Sequence, residues 1–122
     1  MPGSDDRHRP AGGTATRRAP PVAFRQFVLK LHSRCDLACA HCYVYTMADQ
    51  GWRDLPRTMS PSVLDAAARR IGEHARTHRL DLVSVILHGG EPLLAGPARV
   101  ESAVSAIRHG AAPVPARVTV QT

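Results

Sequence analysis

Cys35, Cys39 and Cys42 fall within eight residues and are all the cysteines of this 122-residue sequence. Thiolates are soft ligands suited to zinc or iron-sulfur chemistry, and three on so short an arc can converge on one inorganic centre without help from distant chain. Three is the telling number. A closed tetrahedral zinc site takes four protein ligands, whereas a cluster of four irons and four sulfurs held by three cysteines leaves one iron open to something else. Two other chemistries stay open on the residues alone: a Cys3His zinc module completed by His41 or His32, and a Cys39/Cys42 redox pair. Zinc sites favour two separated ligand pairs, and the sequence offers no second pair.

The elements that must carry this loop follow from periodicity. Phe24 to Leu31 is strand-like, with Phe27, Leu29 and Leu31 alternating onto one face, and the cysteine loop hangs from its end. Val44 to Thr58 has no clear period and reads as loop. Ser60-Pro61 supplies an N-cap and a proline at the first helical position, and Leu64, Ala67, Ala68, Ile71 and Ala75 recur at helical spacing, which predicts a helix to about His78. Leu82 to Leu87 is nearly unbroken apolar chain, the mark of a strand covered on both faces. Gly96-Pro97 opens a second helix with Val100, Ala103, Val104 and Ile107 inward and Gly110 as its C-cap, and Arg117 to Gln121 makes a third strand. Met47 and Met59 read as packing.

This alternation of strand and helix predicts an α/β fold with parallel strands, in an open sheet or part of a barrel, whose active groups sit at the carboxyl ends of the strands. The cysteines follow the first strand, and Gly89-Gly90-Glu91 follows the second directly. Adjacent parallel strands would therefore deliver both to one edge of the sheet.

Composition narrows the setting. Residues 1 to 21 are rich in Pro, Gly, Arg, Ala and Thr without apolar periodicity and are expected to be a disordered tail, leaving residues 22 to 122 as one domain. The cysteines are odd in number and too clustered to staple distant loops, which favours a reducing cytoplasm. No apolar run is long enough for a membrane span, and Arg25 and Lys30 interrupt the apolar stretch that a twin-arginine signal at Arg17-Arg18 would need. The net charge of +6 comes from fifteen arginines and one lysine against ten acidic residues, but Arg69-Arg70, Arg76, Arg79, Arg99 and Arg108 form no stripe and aromatics are 4%. Solvated helix faces, not nucleic-acid binding, account for them.

The spacing Cys-x3-Cys-x2-Cys, with His41 before the last cysteine and Tyr43 after it, resembles the cluster signature of the radical S-adenosylmethionine (radical SAM) enzymes. His88-Gly89-Gly90-Glu91-Pro92 looks like the GGE motif of that family. Leu31-His32-Ser33-Arg34-Cys35 and Cys42-Tyr43-Val44-Tyr45 are similar to the FxsB-like branch of its SPASM-type peptide maturases, a likeness covering residues 24 to 122.

The resemblance implies a partial (β/α)6 barrel, of which this sequence holds two units and the start of a third. Residues 22 to 122 would then be a truncated core domain, with the later strands and a SPASM domain lying beyond it. It further implies that Cys35, Cys39 and Cys42 ligate a 4Fe-4S cluster, and that S-adenosylmethionine is cleaved reductively there to a 5'-deoxyadenosyl radical. Gly89 and Gly90 would let the backbone approach the methionine end of S-adenosylmethionine, Glu91 would meet its ammonium, and His41 would pack on it. Gln121 and Thr122 are candidates either to reach toward it or to be frayed chain-terminal residues, and Tyr43, Tyr45 and Trp52 read as covering the cluster or filling the loop, ahead of contacting substrate. No catalytic side chain is assigned. The implied partners are a ribosomally made precursor peptide, cross-linked or otherwise matured, and a reductant such as a flavodoxin or ferredoxin. The alternatives are a fragment that binds cluster and S-adenosylmethionine without turnover, and the Cys3His zinc module.

Overall fold

The computed structural model describes residues 21 to 122, so the expected tail, Pro21 apart, lies outside the described residues. β1 spans Gln26–His32, α1 Pro61–Thr77, β2 Val83–Gly89, α2 Pro97–Ala111 and β3 Ala116–Val120. The strands form one parallel sheet in the order β1-β2-β3, as the alternation of elements requires. Boundaries differ from the sequence expectation by one or two residues.

Local chemistry starts and stops the elements. The Ser60 hydroxyl accepts from the Val63 N–H at 3.3 Å, and Pro61 occupies the first turn of α1, where a missing N–H costs nothing. At the other end Arg79 adopts φ 51°, its N–H donates to the Arg76 carbonyl at 3.1 Å, and the Leu80 N–H donates to the Ala75 carbonyl at 2.9 Å. These two bonds are a Schellman closure with arginine where glycine is usual.

One face of the sheet is buried. Leu31, Val83, Val85 and Leu87 pack against Leu64, Ile71 and Ala75 of α1 and Ala103, Ile107 and Ala111 of α2. Burial of each large aliphatic side chain contributes roughly 1.5–3 kcal/mol.

Four expectations are corrected. β2 is not covered on both faces: Val83, Val85, Leu87 and Gly89 are buried, but Ser84, Ile86 and His88 between them are half exposed, and Val28 beside them on β1 is 60% exposed. An apolar run reports hydrophobicity, not how many layers cover it. Gly110 is not the cap of α2; the helix continues to Ala111 with Ala112 as C-cap. A Cβ on Gly110 would lie 2.7 Å from the Ala68 backbone, and one on Gly72 would overlap the Gly110 carbonyl, so the two glycines let α1 and α2 touch backbone to backbone. The segment from Val44 to Thr58 contains a 3-10 turn, Gly51–Asp54, and ends in an antiparallel bridge from Thr58 to His32. Met47 is 58% exposed and packs nothing, whereas Met59 does lie against the core.

Candidate functional site

The cysteine loop and the Gly-Gly-Glu turn meet because β1 and β2 are parallel neighbours, pairing Lys30 with His88 and, across an irregularity, His32 with Gly89. Backbone bonds then continue past the strand ends. The Gly90 N–H donates to the His32 carbonyl at 3.0 Å and the Glu91 N–H to the Arg34 carbonyl at 2.9 Å, one residue before Cys35. A Cβ on Gly89 would overlap the His32 carbonyl, and one on Gly90 would overlap the Tyr45 hydroxyl and the Arg34 carbonyl. Both glycines are therefore required by contact with the loop itself.

The result is a cavity of about 400 Å³ lined by Cys35, Cys39, Cys42 and His41 on one side and by Gly89, Gly90 and Glu91 on the other. Gln121 and Thr122 line it too, as do His88, Tyr43 and Tyr45. All three thiols are free, Cys39 exposed and the others half-buried. The loop is held by its own backbone: the Cys42 N–H donates to the Cys39 carbonyl at 3.2 Å, the Leu37 N–H meets Cys35 Sγ at 3.4 Å, and the Thr46 hydroxyl donates to the Cys42 carbonyl. No group of three His, Cys, Asp or Glu among the described residues is gathered as a metal ion would require, so the thiols share a cavity without closing on a common point. Three soft donors facing one cavity fit an iron-sulfur cluster with an open corner. Of the two histidines a zinc module could use, His41 lines the cavity with the cysteines. His32 does not line the cavity and its Nδ1 faces the Arg34 backbone.

Glu91 is fixed at both oxygens. Oε1 accepts from the Leu93 N–H at 2.8 Å, capping the 3-10 turn Pro92–Ala95, and Oε2 accepts from the Thr122 hydroxyl at 2.9 Å. An ionised carboxylate has about four acceptor sites, so further donors can still be met.

Sequence reasoning missed Arg34. Its Nη1 donates to the Ser33 hydroxyl (2.8 Å) and to the carbonyls of Trp52 (2.9 Å) and Ser33 (3.0 Å), and its Nη2 to those of Leu55 (3.0 Å) and Arg53 (3.1 Å). The guanidinium also sits 5.1 Å from the centre of the Trp52 ring. One side chain thus ties the 3-10 turn Gly51–Asp54 to the stem of the cysteine loop. No local pattern in the sequence signals this, because Arg34 and Trp52 are eighteen residues apart. Tyr45 stands edge-on to Trp52, ring centres 4.7 Å apart. Burial pushes its phenol above the ordinary value of 10.0, the charges of Cys35 and Cys42 push the same way, and Arg34 opposes them.

A larger hollow of about 560 Å³ lies along α2, lined by Val100, Glu101, Val104, Ser105, Arg108 and His109, and includes neither a cysteine nor the Gly-Gly-Glu turn. No helix among the described residues is long and apolar enough to cross a membrane.

No family model matches the sequence, and no curated protein does. Two solved structures match in fold. Histidine-tagged anSMEcpe with bound AdoMet (S-adenosylmethionine) is 24% identical over 80% of this chain and 25% of its own, at a TM-score of 0.63. Native anSMEcpe with bound AdoMet is 25% identical over 80% of this chain and 26% of its own, at a TM-score of 0.62. The chain spans about a quarter of the length of these structures. Its alternating parallel strands and helices match part of a radical SAM fold, and this likeness supports the radical SAM superfamily.

Proposed function

We propose that this chain is the cluster-bearing part of a radical SAM enzyme that matures a ribosomally made peptide, of FxsB-like kind, in a reducing cytoplasm and with electrons from a flavodoxin- or ferredoxin-like donor. In this reading Cys35, Cys39 and Cys42 hold a 4Fe-4S cluster, and AdoMet binds between it and the turn from Gly89 to Glu91. When bound, the pair supplies reductive cleavage of a carbon-sulfur bond and a radical able to abstract hydrogen. The observation that carries the reading is the single cavity of about 400 Å³ shared by three cysteines and the Gly-Gly-Glu turn.

The chain's own residues favour a cationic ligand at the turn. Because the N–H groups of Gly90 and Glu91 are engaged by the His32 and Arg34 carbonyls, the turn is left to offer acceptors. Glu91 adds a carboxylate already oriented by Leu93 and Thr122. Acceptors and negative charge suit an ammonium group, and a held carboxylate loses little freedom on meeting it.

Anaerobic reconstitution with iron and sulfide tests this. The expected product has a broad visible charge-transfer absorption that bleaches with dithionite, and serine at positions 35, 39 and 42 abolishes it. AdoMet should then bind to the loaded protein, and Glu91→Gln should weaken that binding about tenfold, the loss of one charge-assisted hydrogen bond of roughly 1.5 kcal/mol. A colourless protein carrying one zinc per chain would overturn the reading.

A further inference from the structure

Three buried polar atoms among the described residues have no hydrogen-bond partner: the Tyr45 hydroxyl, Gln50 Oε1 and Trp52 Nε1. They belong to one patch behind the cysteine loop. The Tyr45 ring stands at 85° to that of Trp52, and Gln50 Nε2 donates to the Met47 carbonyl at 2.7 Å and approaches the Tyr45 carbonyl at 3.4 Å. A buried hydroxyl without a partner is costly, so such a group asks what meets it. Of the three residues, Tyr45 alone also lines the cavity with Cys35 and Cys42. Its hydroxyl lies over Gly90, where a methyl group would overlap it, and its ring is backed by Trp52.

We infer that the Tyr45 hydroxyl donates a hydrogen bond to a sulfur of the cluster held by Cys35, Cys39 and Cys42 and so sets its reduction potential, an inference that rests on the iron-sulfur reading above. A donor at a cluster sulfur stabilises the more negative, reduced form and raises the potential. Tyr45 is thus a tuning residue, acting on the cluster without taking part in bond cleavage. The neighbouring aromatics explain why it suits that role. An edge-on contact to a tryptophan that is itself covered by Arg34 restricts the ring, so the hydroxyl is presented at one point.

The test compares the full chain with Tyr45→Phe, reconstituted anaerobically and titrated potentiometrically without AdoMet. The two proteins should take up equal iron, and the variant's reduction midpoint should fall by about 59 mV, a tenfold shift in a one-electron equilibrium. Equal midpoints would overturn the inference and leave the iron-sulfur reading standing. So would a difference that appears only after AdoMet is added, since the hydroxyl would then meet AdoMet and not sulfur. No iron uptake by the unaltered chain would overturn both. Urea unfolding without metal gives an independent check: because the hydroxyl has no protein partner, Tyr45→Phe should be at least as stable as the parent, and a loss of stability would overturn the inference.

Discussion

Replacing Arg34 by lysine keeps the charge and removes the fork, which isolates what the guanidinium geometry contributes. Five donor contacts, to the Ser33 hydroxyl and the carbonyls of Ser33, Trp52, Arg53 and Leu55, fall to at most one or two, because an ammonium is a single point on a shorter reach. The contacts to Arg53 and Leu55 are exposed, so water replaces them at little cost. Those to Ser33 and Trp52 are partly buried, and hydrogen bonds from a charged donor contribute about 1.5–3 kcal/mol each when well shielded. Halving that for partial exposure, keeping one of the three for lysine, and adding about 0.5–1 kcal/mol for the lost stacking on Trp52 gives a loss of about 2–4 kcal/mol. Urea unfolding followed by fluorescence measures it directly, since Trp52 is the single tryptophan. Arg53→Lys is the control: its guanidinium also lies over Trp52, 5.3 Å from the ring centre, but on the exposed side, and should cost under about 0.5 kcal/mol. Equal effects from the two substitutions, or a loss below about 0.5 kcal/mol for Arg34→Lys, would refute the clasp.

Gly90→Ala should destabilise by about 1–3 kcal/mol, as overpacking against backbone does, and Tyr45→Phe should recover part of that loss in a double-mutant cycle; additive effects would show that the hydroxyl is not the obstacle. Arg79→Gly should stabilise by about 1 kcal/mol in thermal unfolding, because glycine adopts the φ of 51° found there without the left-handed penalty. The hydrogen bond and charge of Arg25, 2.7 Å away, hold the Asp81 carboxyl below its ordinary value of 3.8. This pair therefore contributes stability above that value and loses it as pH falls through the lower, folded value. Both side chains are exposed, so Arg25→Gln should only slightly lessen the fall of the urea midpoint as pH drops below 3.8, and an unchanged fall would exclude the pair as a contributor.

What was legible in the sequence is what neighbours in the chain decide. Ser60-Pro61 announces α1 because cap and proline act within one turn, and the parallel order of strands follows from helices of the right length between apolar runs. The Cys and Gly-Gly-Glu stretches each follow a strand, so their meeting at one edge was derivable from topology. What stayed hidden depends on contacts between distant residues. Gly110 close to a helix end reads as a cap, and only the approach of Ala68 and Gly72 from α1 gives it another purpose. The turn at Gly51–Asp54 has no local period because Arg34, eighteen residues before Trp52, supplies partners for its carbonyls. The second face of β2 was read as covered because Ile86 and Leu87 look alike in sequence, although one is half exposed and the other fully buried.

The glycine pair shows how a motif can be fixed by its scaffold before any ligand is considered. Parallel neighbours lie about 4.8 Å apart, which brings strand ends close but leaves room for side chains between their continuations. Here the continuations stay hydrogen-bonded past the strand ends, by bonds of 3.0 Å from the Gly90 N–H to the His32 carbonyl and 2.9 Å from the Glu91 N–H to the Arg34 carbonyl, and the space a Cβ would need is filled by the loop. A side chain at position 89 or 90 would fall on the carbonyls of His32 or Arg34, so the loop and the turn can be welded together only if both residues are glycine. That weld aims the N–H groups of the turn at the loop, and the charge complement to a ligand passes to Glu91. In the proposed reading the glycines therefore serve AdoMet indirectly, through the distance they set between turn and cysteines. Substitution at Gly90 should accordingly disturb iron loading along with AdoMet affinity, whereas Glu91→Gln should lower AdoMet affinity and leave iron loading unchanged.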